Sequence, residues 1–142
     1  MKERHAASDC RSFSGRMEAL VALFDVMQLG AKDCVFVSAL APSDVVKAVQ
    51  FFGGVPVFCD VTPDSFCIDH RSLENAVRQV VSVDRLYPRA VIAENFCGVP
   101  FSLRAVKNVC DRMGLILIED CGNDYGGESD GILCGSVGDY SI

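Results

Sequence analysis

The chain has 142 residues, with 13 Lys plus Arg against 19 Asp plus Glu and a formal net charge of −6; this fits one domain with room for a core. Half of the residues are hydrophobic and 23% are charged, which argues against disorder. The acidic balance lacks any Lys/Arg-rich run that could track nucleic-acid phosphates, and no apolar stretch reaches the ~18–20 residues of a membrane span.

The charged start Met1-Lys2-Glu3-Arg4-His5 leads into no apolar h-region, so no secretory signal is expected. Ser14-Gly15 precedes Met17, Leu20, Val21, Phe24 and Met27, whose spacing predicts a helix that Gly30 can end. Cys34–Val37 reads as a short buried strand. Ser43 is placed to cap a second helix carrying Val45, Val46, Val49 and Phe52, stopped by Gly53-Gly54. Val55–Cys59 is the next strand, with Pro56 near its start, and Asp60–Ser65 is a turn. Asp69 caps a helix with Leu73, Ala76, Val77 and Val80 on one face, and Ala90–Ala93 is a strand. Leu103, Val106, Val109, Cys110 and Met113 mark another helix ended by Gly114, and Leu115–Ile118 is a strand running into Glu119-Asp120. Glycines crowd the remainder, at 122, 126, 127, 131, 135 and 138.

Apolar strands separated by amphipathic helices imply an α/β fold, a mainly parallel sheet with helices on both faces. Ligands of such sheets gather beyond the carboxyl ends of the strands, which singles out Ser38–Pro42, Asp60, Glu94–Gly98 and Glu119–Asn123. Eight cysteines stand at 10, 34, 59, 67, 97, 110, 121 and 134 without a CxxC pair. Several lie inside apolar runs, as in Val57-Phe58-Cys59, where a free thiol acts as a small hydrophobe. Zinc favours closely paired ligands, and His5 and His70 are the two histidines that could assist. Reduced thiols, no metal site and a cytoplasmic location are therefore expected.

Three features could carry chemistry. Asp120 closes a fully apolar strand, and a carboxylate there loses hydration and requires a cationic or protonated partner, for example the ring nitrogen of a bound heterocycle. The alternative for Asp120 or Glu119 is a cap on the following turn. Ser14-Gly15-Arg16 opens a helix, whose free N–H groups and dipole favour an anion such as phosphate, or is a plain N-cap. Asn95 leaves a buried strand into Phe96-Cys97-Gly98-Val99-Pro100, a polar strand end or simple turn chemistry. Tyr87, Tyr125 and Tyr140 are isolated, and His70 reads as a first-turn helix residue.

In this order the pieces resemble the DegT/StrS family of sugar aminotransferases. Gly53 to Asp69 is similar to its "GA-PVFVDV-P-T-ID" segment, and Ser14-Gly15-Arg16 with Ala19-Leu20 to its "SG(T/R)-AL" stretch. Gly98-Val99-Pro100 with Gly114–Asp120 resembles "G-P … GL-(V/I)IEDAAQ", and Gly135-Ser136-Val137-Gly138-Asp139 resembles "GS-GD". The resemblance implies part of the large pyridoxal 5'-phosphate (PLP)-binding domain of fold type I aminotransferases over residues 12–142, after a poorly defined segment 1–11. It implies PLP as cofactor, with Asp120 on the pyridinium nitrogen, so that the ring can accept electrons. Asn123 and Asn95 would lie near its phenolic oxygen, and Gly15 and Arg16 at its phosphate.

The family's catalytic lysine follows "GD…SF…K", past Ile142, and Lys2, Lys32, Lys47 and Lys107 stand in unrelated places. Pro42 or Leu40 falls where the family stacks an aromatic ring. The expectation is an amino-terminal half of an aminotransferase, or a decayed copy, that does not transaminate alone. Intact relatives would move an amino group from glutamate to a keto-sugar nucleotide, as homodimers. The alternatives are a non-catalytic binding or assembly domain of the same fold and, third, a generic nucleotide-binding α/β domain, which would lack GxGxxG and GxxxxGK[ST]. A partial sheet should also leave strand edges and apolar faces open, favouring aggregation or a partner.

Overall fold

Uninterrupted apolar runs become strands here because helices cover them from both sides, so no face needs polar residues. The computed structural model describes residues 7–99, 101–124 and 126–142; Lys2, His5, Pro100 and Tyr125, which enter the sequence reading, lie outside the described residues. The elements are α1 (Arg16–Val26), β1 (Asp33–Ser38), α2 (Ser43–Phe51), β2 (Val55–Cys59), α3 (His70–Val83), β3 (Tyr87–Glu94), α4 (Arg104–Met113) and β4 (Ile116–Asp120). Three short strands follow: β5 (Glu128–Ser129), β6 (Ile132–Leu133) and β7 (Tyr140–Ser141). A 3-10 turn, Phe96–Gly98, leaves β3.

The main sheet has the order β2-β1-β3-β4-β7, and every pair in it is parallel. The chain travels one way from β1 to β2 and the other way from β2 to β3 and β4. Right-handed crossovers then put α2 on one face and α3 and α4 on the other. Two core layers result. Val35, Val37, Ala90, Ile92 and Ile118 pack with Leu20 and Phe24 of α1 and Val45 and Val49 of α2. Cys34, Phe36, Val91, Ala93 and Leu117 pack with Leu73 and Val77 of α3 and Val106 and Val109 of α4. Five of the eight free cysteines are buried, and burial pushes the thiols of Cys34 up to about 11 and of Cys59 and Cys110 up to about 12. They are neutral core hydrophobes at physiological pH.

Local signals fix several helix ends. Asp69 caps α3 through Arg71 N–H at 3.0 Å, and Gly114 ends α4 in the left-handed conformation. Two ends differ from the sequence expectation. Ser43 is the first helical residue rather than the cap of α2; Pro42, with φ of −58°, takes the cap position because its ring already holds the chain near helical φ. The first helix stops at Val26, before Gly30, because Gln28 takes the left-handed conformation and Leu29 N–H returns to Phe24 at 3.0 Å.

The glycine-rich tail carries structure that its composition conceals. β5 and β6 form an antiparallel hairpin, and β7 adds to β4 in parallel register. Asp139 holds that junction, exchanging N–H···O bonds with both the N–H and the carbonyl of Leu117 at 2.8 Å. Among the described residues no strand covers the outer side of β2 or β7, and Phe58 on β2 is 55% exposed. No helix among them is long and apolar enough to cross a membrane.

Candidate functional site

Because the sheet is parallel, Ser38, Cys59, Glu94 and Asp120 end their strands along one edge. Helix α1 runs back toward β1, so its N-terminus reaches the same edge. Asp120 lies opposite Glu94 in the β3–β4 register. Two residues beyond Ile118, it shares that residue's face, the one covered by α1 and α2.

The Asp120 side chain is 1% exposed, and its Oδ2 lies 2.8 Å from Nε of Arg16, the first residue of α1. Asp120 Oδ2 and Arg16 Nε thus form an ion pair buried on the carboxylate side. The other Asp120 oxygen accepts the Gly122 N–H at 3.2 Å. Arg16 also faces Asp44 of α2, at 3.8 Å. Burial raises the pKa of Asp120, and the Arg16 guanidinium opposes the rise. Glu94 is raised likewise, by burial first and then by the Asp120 charge, again opposed by Arg16. Arg16 thus pairs with buried Asp120 and with half-exposed Asp44, and its charge extends to Glu94.

The two acidic residues that end β4 serve different ends. Glu119 is buried on the opposite face and accepts N–H bonds from Gly135 at 2.8 Å, from Val137 at 2.6 Å and from Gly138. It is a structural anchor for the tail, whereas the turn cap that the sequence reading offered as an alternative is made by Asp120, through Gly122 N–H. Asp120 faces the edge where ligands of such sheets collect.

The remaining sequence candidates are distributed as follows. Gly15 is the exposed N-cap of α1, in extended conformation, with the Glu18 carboxylate beside it. The Arg16 side chain goes to Asp120, not to an open anion site. Asn95 is buried, but alternation turns it to the other face from Asp120: its amide donates to Asp124, and its carbonyl oxygen accepts from Phe101 N–H at 3.3 Å. Glu94, not Asn95, is the β3 residue opposite Asp120. Asn123 is exposed, and its backbone carbonyl packs against Gly98. Gly98 has φ of +74°, and a Cβ there would lie 2.6 Å from the Asn123 oxygen, so the loops after β3 and β4 touch only because residue 98 has no side chain.

Sequence reasoning missed Asp44 and Asp124, and reached Glu94 only as the start of the strand-end run Glu94–Gly98, without a role. For Glu94 the signal existed: it follows Ile92 by two residues, as Asp120 follows Ile118. Asp124 is buried with one oxygen unpartnered, and nothing local announces its pairing with Asn95. Lys32 precedes β1 at the opposite edge, Lys47 is exposed on α2, and Lys107 is held by Asp111 and Asp139, each at 3.0 Å. Among the described residues no three His, Cys, Asp or Glu side chains are grouped to hold a metal.

The model of the DegT/DnrJ/EryC1/StrS aminotransferase family matches residues 2–142. The chain belongs to this family. It is 28% identical, over 94% of its length, to L-glutamine:2-deoxy-scyllo-inosose aminotransferase of Streptomyces kanamyceticus, and covers 30% of that relative. It is 26% identical to dTDP-3-amino-3,4,6-trideoxy-alpha-D-glucose transaminase of Micromonospora megalomicea, over 95% of this chain and 34% of that one. Among solved structures it is similar to a DegT DnrJ EryC1 StrS aminotransferase from Brucella abortus, with TM-score 0.80 and 31% identity over 84% of this chain and 32% of that one. The chain therefore spans about a third or less of the length of these family members, and the fold class expected from sequence, an aminotransferase-type parallel sheet with helices, is the one observed.

Proposed function

We propose that these residues form the cofactor-ring side of a PLP-dependent aminotransferase site, with Asp120 as the partner of the pyridine nitrogen. The observation that carries this reading is Asp120, a carboxylate buried at the ligand edge of the sheet and held there as an ionisable acceptor against Arg16. An ionised carboxylate so placed favours a protonated ring nitrogen, and that proton lets the heterocycle accept electrons when bound. Asp120 fits the ring nitrogen, and the phosphate is proposed for the N-terminus of α1 at Gly15, where the Glu18 carboxylate would have to swing aside. Asn123, on the loop after β4, and Asn95, tied to Asp124, border the same end of the sheet, and contact of either with the ring is part of the proposal.

Within this reading residues 12–142 are part of the large cofactor-binding domain. The amino acceptor is a polyhydroxylated cyclic ketone, since the relatives' names include both a cyclitol ketone and a nucleotide-linked sugar. The proposed acceptor is the nucleotide-linked keto-sugar, and the intact enzyme is proposed to be a homodimer. Among the described residues the lysines are Lys32, Lys47 and Lys107, and none is placed beside Asp120, so these residues alone are not expected to transfer an amino group. The test is an absorbance titration of PLP with this chain. Saturable binding that is lost in Asp120→Ala supports the reading, and binding indifferent to that change overturns it.

A further inference from the structure

We infer that Arg16 is a resident surrogate cation on Asp120, which a cationic nitrogen heterocycle must displace, so that Arg16 and Gly122 together set the affinity of the site. The inference rests on the reading of Asp120 above and adds a competitor for its carboxylate. Three observations carry it. The guanidinium lies 2.8 Å from the buried Asp120 Oδ2, and its own side chain is 21% exposed, so it has a way out toward solvent. A second acceptor is already in place, with Asp44 Oδ2 at 3.8 Å from the Arg16 guanidinium. The third acid nearby, Glu94, lies opposite Asp120 in the β3–β4 register and also feels the Arg16 charge.

Gly122 makes the resident position possible. A Cβ at 122 would lie 3.1 Å from a terminal guanidinium nitrogen of Arg16 and 3.3 Å from Asp120 Oδ1. Those separations are tighter than ordinary contacts, so even alanine would crowd both groups, and the flexible end of Arg16 is the one freer to move away. Its backbone φ is not in the left-handed region, so Gly122→Ala meets no conformational penalty beyond this contact. Residues 16 and 122 thus act as a pair: a long cation, and the space in which it lies.

A competitor that occupies the site most of the time lowers apparent affinity by the fraction of time the site is free. If Arg16 holds Asp120 for nine-tenths of the time or more, its removal should tighten binding by about tenfold or more. The probes are pyridoxamine 5'-phosphate and phosphate-free pyridoxamine, which lack the aldehyde that would label surface lysines. Their Kd values are measured by fluorescence titration of the 142-residue chain and of its Arg16→Gln, Gly122→Ala and Asp120→Asn variants, each checked for an unchanged melting profile. Tighter binding of both probes by Arg16→Gln and by Gly122→Ala, with the gain cancelled by adding Asp120→Asn, is the expected result. Binding that depends on Asp120 but is unchanged or weaker in both single variants overturns the inference and leaves the cofactor reading standing. Weaker binding of the phosphorylated probe alone in Arg16→Gln assigns Arg16 to the phosphate and also overturns it. Binding insensitive to Asp120→Asn in every background defeats the cofactor reading itself, and the inference with it.

Discussion

Replacing Glu119 by Ala should release the glycine-rich tail from the sheet. The carboxylate is 1% exposed and receives N–H bonds from Gly135, Val137 and Gly138. Bonds to a charged acceptor contribute about 1.5–3 kcal/mol each, so three amount to roughly 4.5–9 kcal/mol before any relaxation. The donors sit on partly exposed residues that water can reach once the tail lifts, and the variant also sheds a buried charge. A net loss of about 3 kcal/mol is the expected balance. Urea unfolding followed by circular dichroism should show it, together with faster amide exchange at 135, 137, 138 and 140–142 in the variant. A variant within about 0.5 kcal/mol of wild type, with those amides still protected, would refute the anchoring role.

Gly98→Ala should cost at least about 2 kcal/mol and loosen the loops after β3 and β4, because its Cβ meets the Asn123 carbonyl at 2.6 Å and its φ of +74° disfavours a side chain; a melt unchanged from wild type would contradict this. Asp120 and Glu94 have folded pKa values above their unfolded ones, so the stability they lend is complete below the unfolded carboxylate pKa and is lost as pH rises through the folded values. Double replacement with Asn and Gln should therefore flatten the decline in stability from acidic toward neutral pH, read from denaturant midpoints at several pH values. Asp139 has the opposite sign: burial raises its pKa, but the Leu117 N–H and Lys107 outweigh that and leave it lowered. Its contribution is present above the unfolded pKa and lost as pH falls through the lowered one, so Asp139→Asn should destabilise at neutral pH and converge on wild type in acid.

Sequence legibility followed the reach of each interaction. Strands β1 to β4 and helices α3 and α4 could be read because their apolar periodicity and caps, such as Asp69 and Gly114, are local. The end of the first helix was misjudged because Gln28, not a glycine, takes the left-handed position. β7 could not be read: two residues carry no periodicity, and the strand exists because Glu119 and Asp139 bind the tail over long sequence separations. Asp120 was legible as an acid closing an apolar run, and its burial follows from that position. Its true neighbours were only partly so. Arg16 reads from sequence as a phosphate ligand because helix N-termini attract anions, but a side chain that long reaches the carboxylate across the sheet edge instead. Asn95 sits one residue out of phase with Asp120, and parity along β3 sends it to Asp124 on the far face.

The most direct measurement of Asp120's role is the nitrogen chemical shift of ring-15N-labelled pyridoxamine 5'-phosphate bound to this chain. A protonated ring nitrogen in the wild-type complex, turning neutral in Asp120→Asn, is the expected result. A neutral nitrogen in the wild-type complex, or a shift identical in the two proteins, would contradict it.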